Sequence, residues 1–229
     1  MKIDCLYNKN MYGKSRYSFF SLRLIHSKEI WLFNCGEGCQ NYCIQEKIKI
    51  SQISKIIITE LKVNNVSGLI GLLSSLSLIK RRKSIRIYGP EGIERYLSLI
   101  KQYSKTKFKY DLYIFTLTTG AMISIESLTM YAFINFIRNQ AYDFALINDE
   151  KQIKLDSCKA KKFKIRPGPL CGQLKKCFNF ILPDGTVLNG NKFIEGKQEG
   201  NKFVLISNKY HVRQLNEITN QCSYCYLLR

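Results

Sequence analysis

The run Lys55-Ile-Ile-Ile-Thr59 constrains this chain more than any other segment, because its centre is apolar at successive positions with no polar alternation. A strand of that kind has no face to offer water, so it belongs inside a sheet that is covered on both sides. The flanking sequence agrees. Residues 18–25 and 30–33 read as two strands joined by a tight turn at 26–29. Asn34-Cys-Gly-Glu-Gly38 is a glycine-bearing turn that leads into a helix over 39–46. Residues 66–78 carry helical periodicity in Leu69, Leu72, Leu73 and Leu76. Residues 85–88 return as a strand, and Gly89-Pro-Glu-Gly92 opens a further helix through about Ile100. Strand and helix alternating in this way predict an α/β layered sandwich.

The middle of the chain is richer in strands, which are expected at 112–117, 122–126, 128–133 and 142–147. After Asp149 the character changes. Residues 151–200 are dense in lysine and glycine with few long apolar runs, so they are expected to protrude as a basic arm. A strand is expected to resume at 201–207, followed by a helix at 211–217. With 229 residues and 45% hydrophobic content, the chain is able to bury a core as a single domain over 1–229, with 151–200 inserted in it. Its net charge of +19 favours a polyanionic partner. Coding bias towards Lys, Ile, Asn and Tyr gives the same sign with no partner, since net charge says nothing of a site. Nine scattered cysteines, no expected secretory leader and no stretch near the ~20 apolar residues of a membrane span point to reduced thiols in a cytosol-like compartment.

Four blocks follow one another along the chain: Trp31-Leu-Phe-Asn-Cys-Gly-Glu-Gly-Cys-Gln40, Gly68-Leu-Ile-Gly-Leu-Leu-Ser-Ser-Leu76, Tyr88-Gly-Pro-Glu-Gly92, and Lys164-Ile-Arg-Pro-Gly-Pro-Leu-Cys-Gly-Gln-Leu-Lys175 with Leu182-Pro-Asp-Gly-Thr-Val-Leu188. In this order they resemble the ribonuclease Z family, metallo-β-lactamase-fold enzymes that use two zinc ions to cut the 3′ trailer from precursor tRNA. The resemblance implies a metallo-β-lactamase-like αββα sandwich, here C-terminally truncated. It also implies that 151–200 is the family's flexible arm, which grips the elbow of tRNA away from the active site. The residues of that arm suit such a role. Pro167, Gly168, Pro169 and Gly172 are expected to force a compact, non-helical backbone with exposed amides. Lys161, Lys162, Lys164, Arg166, Lys175 and Lys176 bracket it with positive charge. Shaped RNA is recognised largely through its backbone, and this combination fits phosphate oxygens. The plain alternative is a solvated basic loop.

The same resemblance puts catalysis in question. The family's apolar strand ends in Thr-His-x-His-x-Asp-His, whereas this frame reads Thr59, Glu60, Leu61, Lys62, Val63, Asn64, Asn65. Glu60, Lys62 and Asn65 thus stand at three histidine positions and Asn64 at the aspartate. Ile137 stands at a further histidine, Asn208 at the metal-bridging aspartate, and the family's last blocks fall beyond the end of this chain. The chain has two histidines, His26 and His211, too few for a dinuclear site of this type. Glu60 is able to bind a cation, but Lys62 repels one, and its ammonium is placed to form a salt bridge in the metal's stead. No catalytic residue and no metal ligand is therefore assigned, and no cofactor is expected. His26 reads as a turn residue and His211 as structural. Cys35, Cys39 and Cys43 at helical spacing, and Cys222-x-x-Cys225, are weak metal candidates. No His and acid lie beside any Cys to make a thiol nucleophile.

These readings converge on a non-catalytic ribonuclease Z homologue that binds tRNA or precursor tRNA, as a homodimer or as a heterodimer with a catalytic ribonuclease Z, without a membrane. The expected compartment is the plastid stroma (chloroplast), otherwise the cytoplasm. The alternative is an active or partner-completed tRNA 3′ endoribonuclease, and a third is a decaying reading frame.

Overall fold

The computed structural model describes residues 3–5, 19–24, 27–125, 128–135, 141–148, 151–163, 165, 168–176, 178–182, 185–198, 200–206 and 212–227. Two compact units emerge, residues 1–147 with 202–229, and residues 148–201.

The first unit begins with β1 (Ile3–Cys5), β2 (Phe20–Leu24), β3 (Glu29–Phe33), β4 (Ile53–Ile57), β5 (Ile85–Gly89) and β6 (Leu112–Thr116), adjacent in that order across one sheet. The first three pair antiparallel and the last four parallel. Parallel neighbours need crossovers, supplied by α1 (Cys39–Gln45), by α2 (Val63–Val66) with α3 (Leu69–Leu78), and by α4 (Ile93–Ser104). The expected single helix over 66–78 divides because Gly68 N–H donates to Cys35 O at 2.9 Å, which docks the chain on the turn after β3. The central strand lies two residues earlier than the apolar run suggests. Ile58 still donates its N–H to Tyr88 O at 2.7 Å, but Thr59 turns away to bond the Asn34 side chain.

A second sheet starts with β7 (Gly120–Ile125), β8 (Leu128–Ile134) and β9 (Tyr142–Asn148). The chain then forms the second unit from β10 (Lys151–Leu155), α5 (Ser157–Lys162), α6 (Pro169–Lys175), β11 (Phe180–Ile181), β12 (Val187–Leu188) and β13 (Ile194–Gln198). It returns through β14 (Asn201–Ile206), α7 (Val212–Thr219) and β15 (Tyr224–Leu227), giving the second sheet the order β15-β14-β9-β8-β7. The second unit thus interrupts the connection between two neighbouring strands.

Apolar side chains define four layers in the first unit. Phe20, Trp31, Phe33 and Ile57 of the first sheet meet Met130, Phe144, Phe203 and Leu205 of the second, with Phe33 edge-on to Phe144 at 5.6 Å. Leu69, Leu72, Leu73 and Leu76 of α3, with Ile93 and Leu97 of α4, cover the outer face of the first sheet. Ile218 of α7 packs with Ala145, Val204 and Ile206 on the outer face of the second. Helix, sheet, sheet, helix is the αββα order that the alternating pattern and the resemblance predict.

The second unit corrects one expectation. Pro169 and Gly172 lie inside a helix, α6, and do not enforce an irregular backbone. Proline at the first helical position carries no N–H that would need a partner, and its fixed φ already suits the helix. Leu170 and Leu174, one turn apart, join Leu188 and Phe193 in a small apolar cluster that holds the helix in place. Gly172 faces open space.

Candidate functional site

The loop after β4 is held by a closed frame of hydrogen bonds. Asn34 takes a left-handed conformation (φ 57°), which Asn tolerates better than most residues. Its Oδ1 accepts from Thr59 N–H at 2.9 Å and from Thr59 Oγ1 at 3.1 Å. Cys35 N–H donates to Asn65 O at 2.7 Å, and Tyr142 N–H of the second sheet donates to Thr59 O at 2.9 Å. Gly68 approaches this turn so closely that a Cβ on it would stand 2.2 Å from Gly36 O. The strand ends and the loop are therefore positioned as the sequence blocks imply.

The filling of the frame differs. Lys62 Nζ lies 2.6 Å from Glu60 Oε1, so the expected ion pair forms. Asn65 is buried, and its Nδ2 donates to Glu60 O at 3.3 Å and more weakly to Thr59 Oγ1 at 3.4 Å. An amide N–H group directed into the loop offers hydrogens where a metal requires lone pairs. Two zinc ions need several imidazole and carboxylate donors, whereas the loop offers one carboxylate, already neutralised by an ammonium. No group of three or more His, Cys, Asp or Glu side chains suited to a metal occurs among the described residues. The residues present in the loop do not fit the family's dinuclear centre. Ile137, Asn208, His26 and His211 lie outside the described residues. One buried carboxylate not singled out in the sequence is Asp143 on β9, whose Oδ2 accepts from Asn135 Nδ2 at 3.1 Å.

The cysteine candidates separate. Cys35, Cys39 and Cys43 are buried on the helix side of the first sheet. A hydrogen bond with Cys35, with burial added, drives the Cys39 thiol far up, and a bond with Cys39 followed by burial does the same to Cys43. Protonated thiols pack as small apolar groups and make poor ligands. Cys222 spends its thiol proton on backbone, with Tyr224 O at 2.6 Å and Lys202 O at 3.2 Å.

In the second unit, Lys161 and Lys162 end α5, and Lys175 and Lys176 end α6. All four are exposed, as are Gly168, Pro169 and Gly172, while Lys164, Arg166 and Pro167 lie outside the described residues. Lysines at helix C-termini face the negative end of the helix dipole, so both helices tolerate this crowding of charge. Asp156 caps α5, accepting from the N–H groups of Cys158 and Lys159 at 3.0 Å each. Phe163 and Phe178 are also exposed in this unit, a feature not foreseen from the sequence although Phe163 stands directly between Lys162 and Lys164 and Phe178 follows Lys175 and Lys176 closely. Phe163 also helps line a cavity of about 590 Å³ with Lys159, Lys192 and Phe193.

Solved structures share this arrangement of layers. A long-form ribonuclease Z from yeast superposes with a TM-score of 0.60 at 11% identity, over 98% of this chain and 32% of its own. The short form of human tRNase Z is 26% identical with a TM-score of 0.52, over 65% of each chain. The first unit therefore has the metallo-β-lactamase fold. A family model described as tRNase Z endonuclease matches residues 21–68. Ribonuclease Z of Nostoc sp. is 34% identical over 81% of this chain and 58% of its own length. Ribonuclease Z of Acaryochloris marina is 33% identical over 88% of this chain and 64% of its own. A protein of Porphyra purpurea named ycf56 is 33% identical over 88% of this chain and 78% of its own. The chain belongs to the ribonuclease Z family. It spans less than two thirds of the length of the Nostoc and Acaryochloris enzymes. No helix among the described residues is long and apolar enough to cross a membrane.

Proposed function

We propose that this chain is a tRNA-binding member of the ribonuclease Z family that does not itself cut tRNA. The observation that carries the reading is the loop after β4, where the Glu60–Lys62 ion pair and the Asn65 amide occupy the ligand positions inside a complete supporting frame. Removing one ligand, or its supporting contacts, from a metal site already costs much affinity, and here four positions of one loop are substituted together. The second unit, with lysine-ended helices and exposed aromatics, supplies the surface for tRNA or precursor tRNA. Its role is to hold the tRNA, in a homodimer or beside a catalytic ribonuclease Z. The plastid stroma is the proposed compartment, supported by the ycf56 relatives from two red algae. The competing reading, an endonuclease active alone or completed by a partner subunit, rests on Glu60, which keeps a carboxylate in the loop. A precursor-tRNA assay with added zinc decides between them. The expected outcome is bound but uncut RNA. Removal of the 3′ trailer at a rate abolished by Glu60→Ala overturns the proposal.

A further inference from the structure

At the opposite end of the parallel strands from the metal loop, a cavity of about 530 Å³ opens between the starts of β3, β4 and β5. It lies roughly 15 Å from Thr59, counting ~3.3 Å per residue along β4. Lys28, Lys55, Arg81, Lys83 and Arg86 line it, with Glu29 as the one carboxylate among the described lining residues. That carboxylate is already committed, since its Oε2 receives Lys55 Nζ at 3.3 Å and Ser54 Oγ at 2.9 Å. Arg81 is buried, and its guanidinium donates to Ser51 O at 2.6 Å, Lys83 O at 2.7 Å and Ser84 O at 3.2 Å. Those neutral carbonyls fix the guanidinium and tie the start of β4 to the start of β5, but they leave its charge uncancelled.

Lys55 is a buried ammonium held over the Trp31 ring at 4.6 Å, and Arg86 stands opposite it in the parallel register. Like charges abreast on neighbouring strands repel, and an anion set between them relieves that. Burial first, and then the Arg86 charge, hold the Lys55 ammonium below its usual range against the pull of Glu29. The rim adds hydroxyls from Ser27, Ser51, Ser54 and Ser84. Arginine, lysine and serine donors converging in a concave space match tetrahedral phosphate oxygens. A cavity of this size has no room for a folded acidic surface.

We propose that this cavity, lined by residues of the first unit, is a phosphate-binding site, independent of the function proposed above. The test is isothermal titration of the full chain with inorganic pyrophosphate at low salt. Saturable binding of one pyrophosphate per chain is expected. The double variant Lys83→Ala, Arg86→Ala, whose side chains are exposed and so spare the core, should weaken it at least tenfold. The variant Lys162→Ala, Lys175→Ala should leave it unchanged. Competition identifies the source of the phosphate in use. If pyrophosphate displaces tRNA from the Lys162→Ala, Lys175→Ala variant, the site takes RNA backbone phosphate, and if tRNA stays bound it takes a free phosphate compound. Non-saturable binding, or equal affinity in the parent and the Lys83→Ala, Arg86→Ala variant with an unchanged melting temperature, overturns the proposal.

Discussion

Replacing Gly68 by alanine tests whether the loop after β4 is seated as described. The Cβ would stand 2.2 Å from Gly36 O, 3.0 Å from Gly36 C and 3.2 Å from Cys35 O. The shortest of these falls about 1.3 Å inside an ordinary contact of ~3.5 Å. None of the atoms is the end of a flexible side chain. Cys35 O already accepts from Gly68 N–H at 2.9 Å, and Gly36 O accepts from Cys39 N–H at 3.3 Å where α1 begins. The backbone angles of Gly68, φ −84° and ψ −7°, suit any residue, so the penalty is steric and nothing else. Overpacking costs ~1–3 kcal/mol, and a clash of backbone with backbone belongs at the upper end, about 3 kcal/mol. At about 2–4 °C per kcal/mol for a chain of this size, the melting temperature should fall by ~6–12 °C. Gly71→Ala is the internal control. Its Cβ would meet only the Gln40 side-chain amide, at 3.1 Å, and alanine gains ~1 kcal/mol of helix propensity over glycine. Circular-dichroism melting of both variants should therefore separate two glycines three residues apart by sign. A Gly68→Ala protein that melts with the parent refutes the close approach, and with it the docking of residues 59–68 on the turn after β3.

Changing Lys162, Lys164, Arg166 and Lys175 together to alanine should weaken tRNA binding and flatten its salt dependence, at a loss of about 0.7–0.9 in log–log slope for each phosphate contact removed. Filter binding checks this, and equal parent affinity for tRNA and for unstructured RNA of the same length would show plain polycation behaviour. Restoring the loop with Glu60→His, Lys62→His, Asn64→Asp and Asn65→His should create zinc binding measurable by elemental analysis, with no stoichiometric zinc expected in the parent. Zinc in the parent that disappears on Glu60→Ala contradicts this. The N–H of Lys159 first, then its ammonium and the N–H of Cys158, hold the Asp156 carboxyl below the usual carboxylate range. A depressed carboxylate contributes its stability above the ordinary aspartate pKa and loses it as pH falls through the lowered value. Hydrogen-exchange protection in α5, taken relative to the intrinsic rate at each pH, should therefore fall in acid, and Asp156→Ala should lower it at neutral pH and remove that acid dependence. Unchanged exchange in the variant counts against the cap.

What the sequence determined by itself was whatever is written in neighbouring residues. Three successive isoleucines with no polar alternation mark β4 as buried on both faces, and leucines at helical spacing mark the inner side of α3. The blocks around Trp31, Gly68 and Tyr88 were enough to indicate the family. The identities at 60, 62 and 65 were enough to foresee an ion pair where ligands were expected, because Glu60 and Lys62 lie two residues apart in one loop. Tertiary structure decided what depends on chain segments far apart. Lys55 sits in the strand that carries the isoleucine run, yet it is buried because Glu29 and Trp31 of the neighbouring strand receive its charge. Pro169 starts a helix because Leu170 and Leu174 find Leu188 and Phe193, and the local proline–glycine pattern carries no trace of that contact. β15 pairs parallel to β14 after an intervening helix, a partnership that periodicity does not specify. The cationic cavity draws its side chains from residues 27–29, 51–55 and 81–86. Residues 80–83 are a legible run of four basic residues, but Lys28 and Lys55 stand far from it in sequence, and only the order of strands in the sheet brings the charges of the three segments to a single point.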